Sequence, residues 1–191
     1  MIGKRWGSRM ELIRELNDGD IGEEFSRNLG EVRYQMRRAS RAVVFDSAGR
    51  IAVLDVTKKG YHKLPGGGLE PGEDITAALN REVKEEVGVE IEVRGELGVI
   101  VEFRERHQFM QFSYCYYAHV VGDGEPTNFT QDELDKGFML RWIELDDAIR
   151  FMEDDKPVDY IGKFILKRDL LFLKKMKEKL GESNGREGRV R

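Results

Sequence analysis

The chain has 191 residues, enough for one domain with a proper core, and its 36% charged and 40% hydrophobic residues describe a soluble globular protein with a heavily charged surface. A net charge of −4 gives no bulk attraction to nucleic acid or to a membrane surface, and the single cysteine, Cys115, excludes an intramolecular disulfide and a multi-cysteine zinc site. No apolar run approaches the ~20 residues that span a bilayer, and the start shows no secretory apolar segment, so the cytoplasm is the expected compartment.

Residues 1–37 read as a charged leader whose pattern settles only a short element, helix or strand, at Met10 to Leu16. Arg41 to Asp46 and Ile51 to Val56 are apolar runs flanking Asp46-Ser47-Ala48-Gly49, a hairpin signal. Lys63 and Leu64 lead into Pro65-Gly66-Gly67-Gly68, read as a glycine loop that leaves backbone amides and carbonyls within reach of a ligand. Pro71-Gly72 marks a turn, and Leu79, Val83 and Val87 then recur every four residues, the spacing of an apolar helical stripe closed by Gly88. Glu90 to Glu105 is one strand, or two joined near Gly95. Gln108 to Val121 alternates, with aromatic Phe112, Tyr114 and Tyr116 on one face and more polar Gln111, Ser113 and His119 on the other. A polar loop at Asp123 to Lys136, a strand at Met139 to Leu145 and a short helix at Asp146 to Met152 follow. A last helix runs from about Asp159 to Leu180, with Leu166, Leu170, Leu173 and Met176 on its stripe, and residues 181–191 form a polar tail expected to be disordered.

The helix after the glycines carries an unusual cost. Glu82, Glu85 and Glu86 fall within an arc of about 100°, where like charges repel by about a few tenths of a kcal/mol per pair. Such a face is either a solvated acidic surface relieved by Arg81 and Lys84, or a hard-cation site whose carboxylates suit Mg²⁺ or Mn²⁺. The frame around it bears on the choice. Gly67, Glu73, Arg81, Glu82, Val83, Glu85, Glu86, Gly88 and Val89 match every specified position of G-x5-E-x7-R-E-U-x-E-E-x-G-U, with U a bulky aliphatic. The chain therefore resembles the Nudix hydrolases, which cleave nucleoside diphosphates linked to another moiety, and the resemblance covers roughly residues 38–180.

The resemblance implies an α/β fold, an α/β/α sandwich with a mixed β-sheet and a C-terminal helix. It implies a divalent cation, Mg²⁺ or Mn²⁺, held by Glu82, Glu85, Glu86 and the Gly66 carbonyl. Arg81 becomes a fork orienting the glutamates, and Glu73 a carboxylate supporting that arrangement. The general base is not placed uniformly in the family: a box glutamate serves in some members and a later acidic residue in others, for which Glu133 is the candidate here and Asp132 its rival.

Substrate marks outside the box are mostly absent. Arg104 stands where ADP-ribose pyrophosphatases typically carry a proline, and Glu105-Arg106-His107 where dinucleoside polyphosphate hydrolases carry a tyrosine. The motif upstream of the box in coenzyme A pyrophosphatases is also missing. A (d)NTP or modified nucleotide, cleaved to a nucleoside monophosphate and pyrophosphate, is the remaining expectation. An ADP-ribose, sugar-nucleotide or dinucleoside polyphosphate substrate is the alternative, and a non-catalytic nucleotide sensor the alternative of another class. Arg41, in the basic run with Arg37 and Arg38, is a candidate for substrate phosphate. Phe138 and Trp142 are candidates for a base, unless they belong to the core. Expected partners are small nucleotides and, as is common in the family, a second copy of the chain, with no membrane and no nucleic acid.

Overall fold

The computed structural model describes residues 10–24 and 33–187, with side chains through residue 182. The remainder of the leader and residues 188–191 of the tail lie outside the described residues. Among the described residues, eight strands form one mixed sheet. In chain order these are β1 (Leu12–Leu16), β2 (Gln35–Phe45), β3 (Ile51–Val56), β4 (Tyr61–Lys63), β5 (Gly66–Gly68), β6 (Glu90–Arg104), β7 (Phe109–Val121) and β8 (Phe138–Ile143). The helices are α1 (Ile75–Val87), α2 (Gln131–Lys136), α3 (Leu145–Asp154) and α4 (Tyr160–Glu187). The strand path is β1-β6-β7-β2-β3-β4, with β5 on β2 and β8 on β3.

Strand alternation sends successive side chains to opposite faces, and each face has its own cover. Ala42, Val44, Ala52 and Tyr116 pack with Leu79, Val83 and Val87 of α1. Val43, Phe45, Ile51, Val53 and Ile100 pack instead with Ala148, Ile149 and Met152 of α3 and Phe164, Phe172, Leu173 and Met176 of α4. The result is an α/β/α sandwich. β6 is one strand, and the irregularity expected near Gly95 takes the form of two register shifts, at Val93/Gly95 and Glu96/Gly98.

Three findings add to or correct these expectations. Within the leader, where helix and strand were both open at Met10 to Leu16, the structure has a strand: β1 pairs in parallel with β6, and Leu16 is fully buried in the main core. The helix expected to stop at Leu180 continues through Glu187. Gly181 does not end it, because a glycine in an exposed helix costs about 1 kcal/mol relative to alanine rather than forbidding the turn. Third, the glycine run is not a free loop. Gly66, Gly67 and Gly68 pair antiparallel with Arg41, Ser40 and Ala39 of β2, which fixes the backbone beside α1. Only glycine fits at Gly66, where φ is 131° and a Cβ would lie 2.2 Å from the Ser40 carbonyl oxygen.

Candidate active site

α1 is placed by its ends. Asp74 caps its N-terminus by accepting from the Ala77 amide at 2.8 Å, and Gly88, at φ 75°, closes the C-terminus. Its apolar stripe turns toward the sheet, so the acidic side lies along the short glycine strand. The Asp123–Thr130 segment is stitched over its C-terminal end: the Glu125 amide donates to the Gly88 carbonyl and the Asn128 amide to that of Glu85, both at 2.7 Å.

Arg81 gathers the carboxylates. Its Nε and Nη2 meet the two oxygens of Glu73 at 3.0 and 3.1 Å, and Nη1 reaches Glu82 at 2.9 Å and Glu85 at 3.2 Å. Nη2 also donates to the Gly68 carbonyl at 3.0 Å, tying helix to glycine strand. The bond to Glu73 in particular holds the guanidinium more firmly protonated than an ordinary arginine. Glu82 stands so close to the strand that a Cβ on Gly67 would lie 2.3 Å from its Oε1.

Glu86 is set differently. Its side chain is 2% exposed, with Oε1 2.6 Å from the Lys63 ammonium and Oε2 accepting from the Gly66 amide at 2.7 Å. Burial pushes its carboxyl above the ordinary range, opposed by Lys63 and that amide. The Gly66 carbonyl, expected to face a metal, accepts from Arg41 Nη1 at 2.5 Å and from Lys63 Nζ at 3.3 Å.

The donor set suits a hard divalent ion, being carboxylate and carbonyl oxygen throughout, and the missing Cβ of Gly67 makes the cradle for Glu82. The acids are nevertheless held apart. Among the described residues no three His, Cys, Asp or Glu side chains form a ready-made ligand group. Arg81 draws Glu82 and Glu85 one way while Lys63 draws Glu86 the other. Lys63 was not anticipated as part of this site. Its signal was a lysine in β4 between the buried Tyr61 and Leu64, where alternation and apolar neighbours point inward.

Behind the glycine strand lies a buried charged network that sequence reasoning also missed. Asp169 and Arg168 of α4 are both fully buried. Asp169 accepts from Arg168 Nε at 2.7 Å and Nη2 at 3.1 Å, and from the Leu64 amide at 2.9 Å. Arg168 also reaches Glu102 at 3.4 Å, and Glu102 in turn accepts from Arg104 at 3.1 Å and Gln111 at 2.7 Å. Burial alone would raise the Glu102 carboxyl, but Arg168, Arg104 and Arg41 together hold it below its ordinary value. The polar face read for β7 is thus partly interior: Gln111 and Ser113 are 1% and 0% exposed because these charges need partners there. The signal was Arg168 itself, four residues from both Phe164 and Phe172 on the apolar side of α4.

Three expected substrate contacts and the candidate base fall in unlike places. Arg41 is buried 4.0 Å from Asp169 and turned to the α4 layer, and burial lowers its pKa to about 10. It holds the glycine strand by the Gly66 carbonyl rather than offering an open cation. Trp142 packs with the α1 layer, since β8 continues that face of the sheet. Phe138 does stand at the site, with Lys63 Nζ 5.1 Å from its ring centre and Phe129 edge-on at 5.8 Å. Glu133 sits not in a loop but on α2, where its Oε2 accepts from the Thr130 amide at 2.8 Å and hydroxyl at 2.9 Å in a capping box. Its rival Asp132 pairs with Lys136.

The profile of the NUDIX domain matches residues 35–161. The chain belongs to the Nudix family. This Nudix hydrolase is 30% identical over 139 residues to human diphosphoinositol polyphosphate phosphohydrolase 2, covering 70% of this chain and 73% of that one. It is also 30% identical over 135 residues to human diphosphoinositol polyphosphate phosphohydrolase 3-alpha, covering 68% and 79%. Among solved structures it is similar to the MutT protein of Methanosarcina mazei Go1, at TM-score 0.52 and 16% identity, covering 76% of this chain and 96% of that one. The C. elegans Ap4A hydrolase superposes at TM-score 0.51 and 20% identity, covering 76% and 99%. The Nudix hydrolase is accordingly an enzyme, a pyrophosphohydrolase. No helix among its described residues is long and apolar enough to cross a membrane.

Proposed function

We propose that this Nudix hydrolase opens the pyrophosphate link of a nucleoside diphosphate joined to another moiety, with a (d)NTP or modified nucleotide first among its substrates, in the cytoplasm. The observation that carries the reading is the Arg81 fork, which sets Glu73, Glu82 and Glu85 against the glycine strand beside Glu86. Glu82, Glu85, Glu86 and the Gly66 carbonyl would hold Mg²⁺ or Mn²⁺. A divalent ion there would neutralise phosphate oxygens and lower the pKa of water. The protein's own part is to position and to take a proton. A water attacks phosphorus, a carboxylate accepts its proton, and the bridging P–O bond breaks as the second phosphate group leaves. Phe138, beside the site, offers a ring face to a base.

We assign the proton to the box rather than to Glu133. Glu85 is the most open of the box carboxylates, with a side chain 43% exposed, whereas Glu133 is engaged as a cap. Glu133→Gln separates the two roles, because glutamine also completes a capping box. The variant is expected to keep its melting temperature and to turn over within about twofold of the parent, while Glu85→Gln loses about a hundredfold or more. A tenfold drop in Glu133→Gln would return the base to α2.

A second reading is favoured by Arg37. Its guanidinium lies against Gly68, so close that a Cβ there would meet Nη2 at 2.2 Å, and exposed Arg38 neighbours it. Cations beside the glycine strand suit a substrate with several phosphates, in keeping with relatives named for diphosphoinositol polyphosphates. Incubating the protein with Mg²⁺ or Mn²⁺ and a panel of nucleotides, 8-oxo triphosphates, ADP-ribose, diadenosine polyphosphates and diphosphoinositol polyphosphates separates the two. Release of nucleoside monophosphate supports the first, and orthophosphate from the inositol compound alone supports the second. Silence across the panel from folded, metal-binding protein would leave RNA 5′ ends as substrate or the non-catalytic sensor.

A further inference from the structure

The Lys63 ammonium sits where the proposed function requires a metal. It touches two of the four groups assigned to the ion, Glu86 through Oε1 at 2.6 Å and the Gly66 carbonyl at 3.3 Å. Magnesium takes such oxygens at about 2.0–2.1 Å, so the ion and the ammonium compete for the same acceptors. The pair is closed off from water, with side chains 9% and 2% exposed, and its attraction is screened far less than that of a surface pair.

Once Glu86 and Gly66 are given to an ion, what faces Lys63 among the described residues is the Phe138 ring, 5.1 Å away. A cation over an aromatic face gains about 0.5–2 kcal/mol, which falls short of what a buried ammonium loses without an anion. The anion that arrives at such a site is the phosphate of the substrate. We propose that Lys63 is a substrate-contacting residue held in reserve: its ammonium fills the cation position between Glu86 and Gly66 in the unloaded protein and passes to a substrate phosphate oxygen when a divalent ion takes those two acceptors. The proposal rests on the reading that Glu86 and Gly66 hold the ion.

Lys63→Met tests both halves with opposite signs, and Lys63→Gln, which keeps a hydrogen bond to Glu86 without the charge, guards against a folding defect. The probes are Mn²⁺ alone, followed by electron paramagnetic resonance of the free ion, and methylenediphosphonate, a phosphate mimic that is not hydrolysed, added to Mn²⁺-saturated protein. Loss of the internal competitor is expected to tighten Mn²⁺ binding about tenfold in both variants. Diphosphonate binding to the Mn²⁺-saturated variants is expected to weaken by about tenfold. Unchanged or weaker Mn²⁺ binding overturns the proposal, and so does undiminished diphosphonate binding. Glu82→Gln serves as the reference. If it weakens Mn²⁺ binding while the Lys63 variants match the parent, the metal reading stands and this proposal alone fails. If Glu82→Gln and Glu86→Gln both leave Mn²⁺ binding untouched, the metal reading fails and takes this proposal with it.

Discussion

Glu86→Gln is expected to lower turnover by about a thousandfold or more, equivalent to about 4 kcal/mol of transition-state stabilisation. The substitution is nearly isosteric and keeps an oxygen for Lys63, which donates to Oε1 at 2.6 Å. It also takes the counter-charge from the buried Lys63, and its single oxygen cannot serve both Lys63 and the Gly66 amide, so the melting temperature should fall by several degrees. A circular dichroism spectrum that matches the parent's at the assay temperature shows that the fold survives. A charge-neutral ligand holds a hard cation less well than a carboxylate, so Mn²⁺ binding should weaken alongside the rate. A folded variant that retains turnover within tenfold would remove Glu86 from the metal site.

The second large effect falls on stability and lies away from the box. Asp169→Ala is expected to destabilise the protein by about 3–5 kcal/mol, because breaking a buried ion pair leaves the other charge uncompensated. Arg168, fully buried, would lose both of its bonds to Asp169 and, among the described residues, keep the longer contact to Glu102 at 3.4 Å. The Leu64 amide would lose its acceptor two residues before Gly66. For a chain of this size the loss corresponds to a fall in melting temperature of roughly 10 °C. Asp169→Asn, which keeps an acceptor for Leu64, should lose less. A fall of under 1 kcal/mol in Asp169→Ala would show that Arg168 finds other partners and that α4 does not anchor the glycine strand. Because that strand carries the Gly66 carbonyl, the same variant should also raise the Mn²⁺ concentration needed for half-maximal activity.

The sandwich was expected from the resemblance that the box carries, and the elements that build it were legible locally. The stripe of Leu79, Val83 and Val87, the apolar runs of β2 and β3 and the alternation of β7 are local patterns, and burial follows from them wherever the element docks. The stop at Gly88 is equally local. The frame from Gly67 to Val89 places Glu73, Arg81, Glu82 and Glu85 on one helix and its entry turn, so their proximity hardly depends on the rest of the chain.

What lay beyond reach depends on segments far apart in the chain. Asp169 meets the Leu64 amide across 105 positions, and Arg168 meets Glu102 across 66. Nothing in the local pattern of α4 says that its stripe covers the polar end of β6 and β7. The pairing of β5 with β2 turned Arg41 from a surface cation into a buried hold on the Gly66 carbonyl. That same alignment set Lys63 against Glu86, 23 residues away. Charge pairs of this kind form only where the sheet and α4 exclude water, since in solution each partner is satisfied by solvent and has no preference for the other. The sequence by itself determined the family, the sandwich that the resemblance implies and the helix that carries the carboxylates. The tertiary structure alone decided which cations neutralise those carboxylates, because burial is a property of the assembled layers and not of any segment within them.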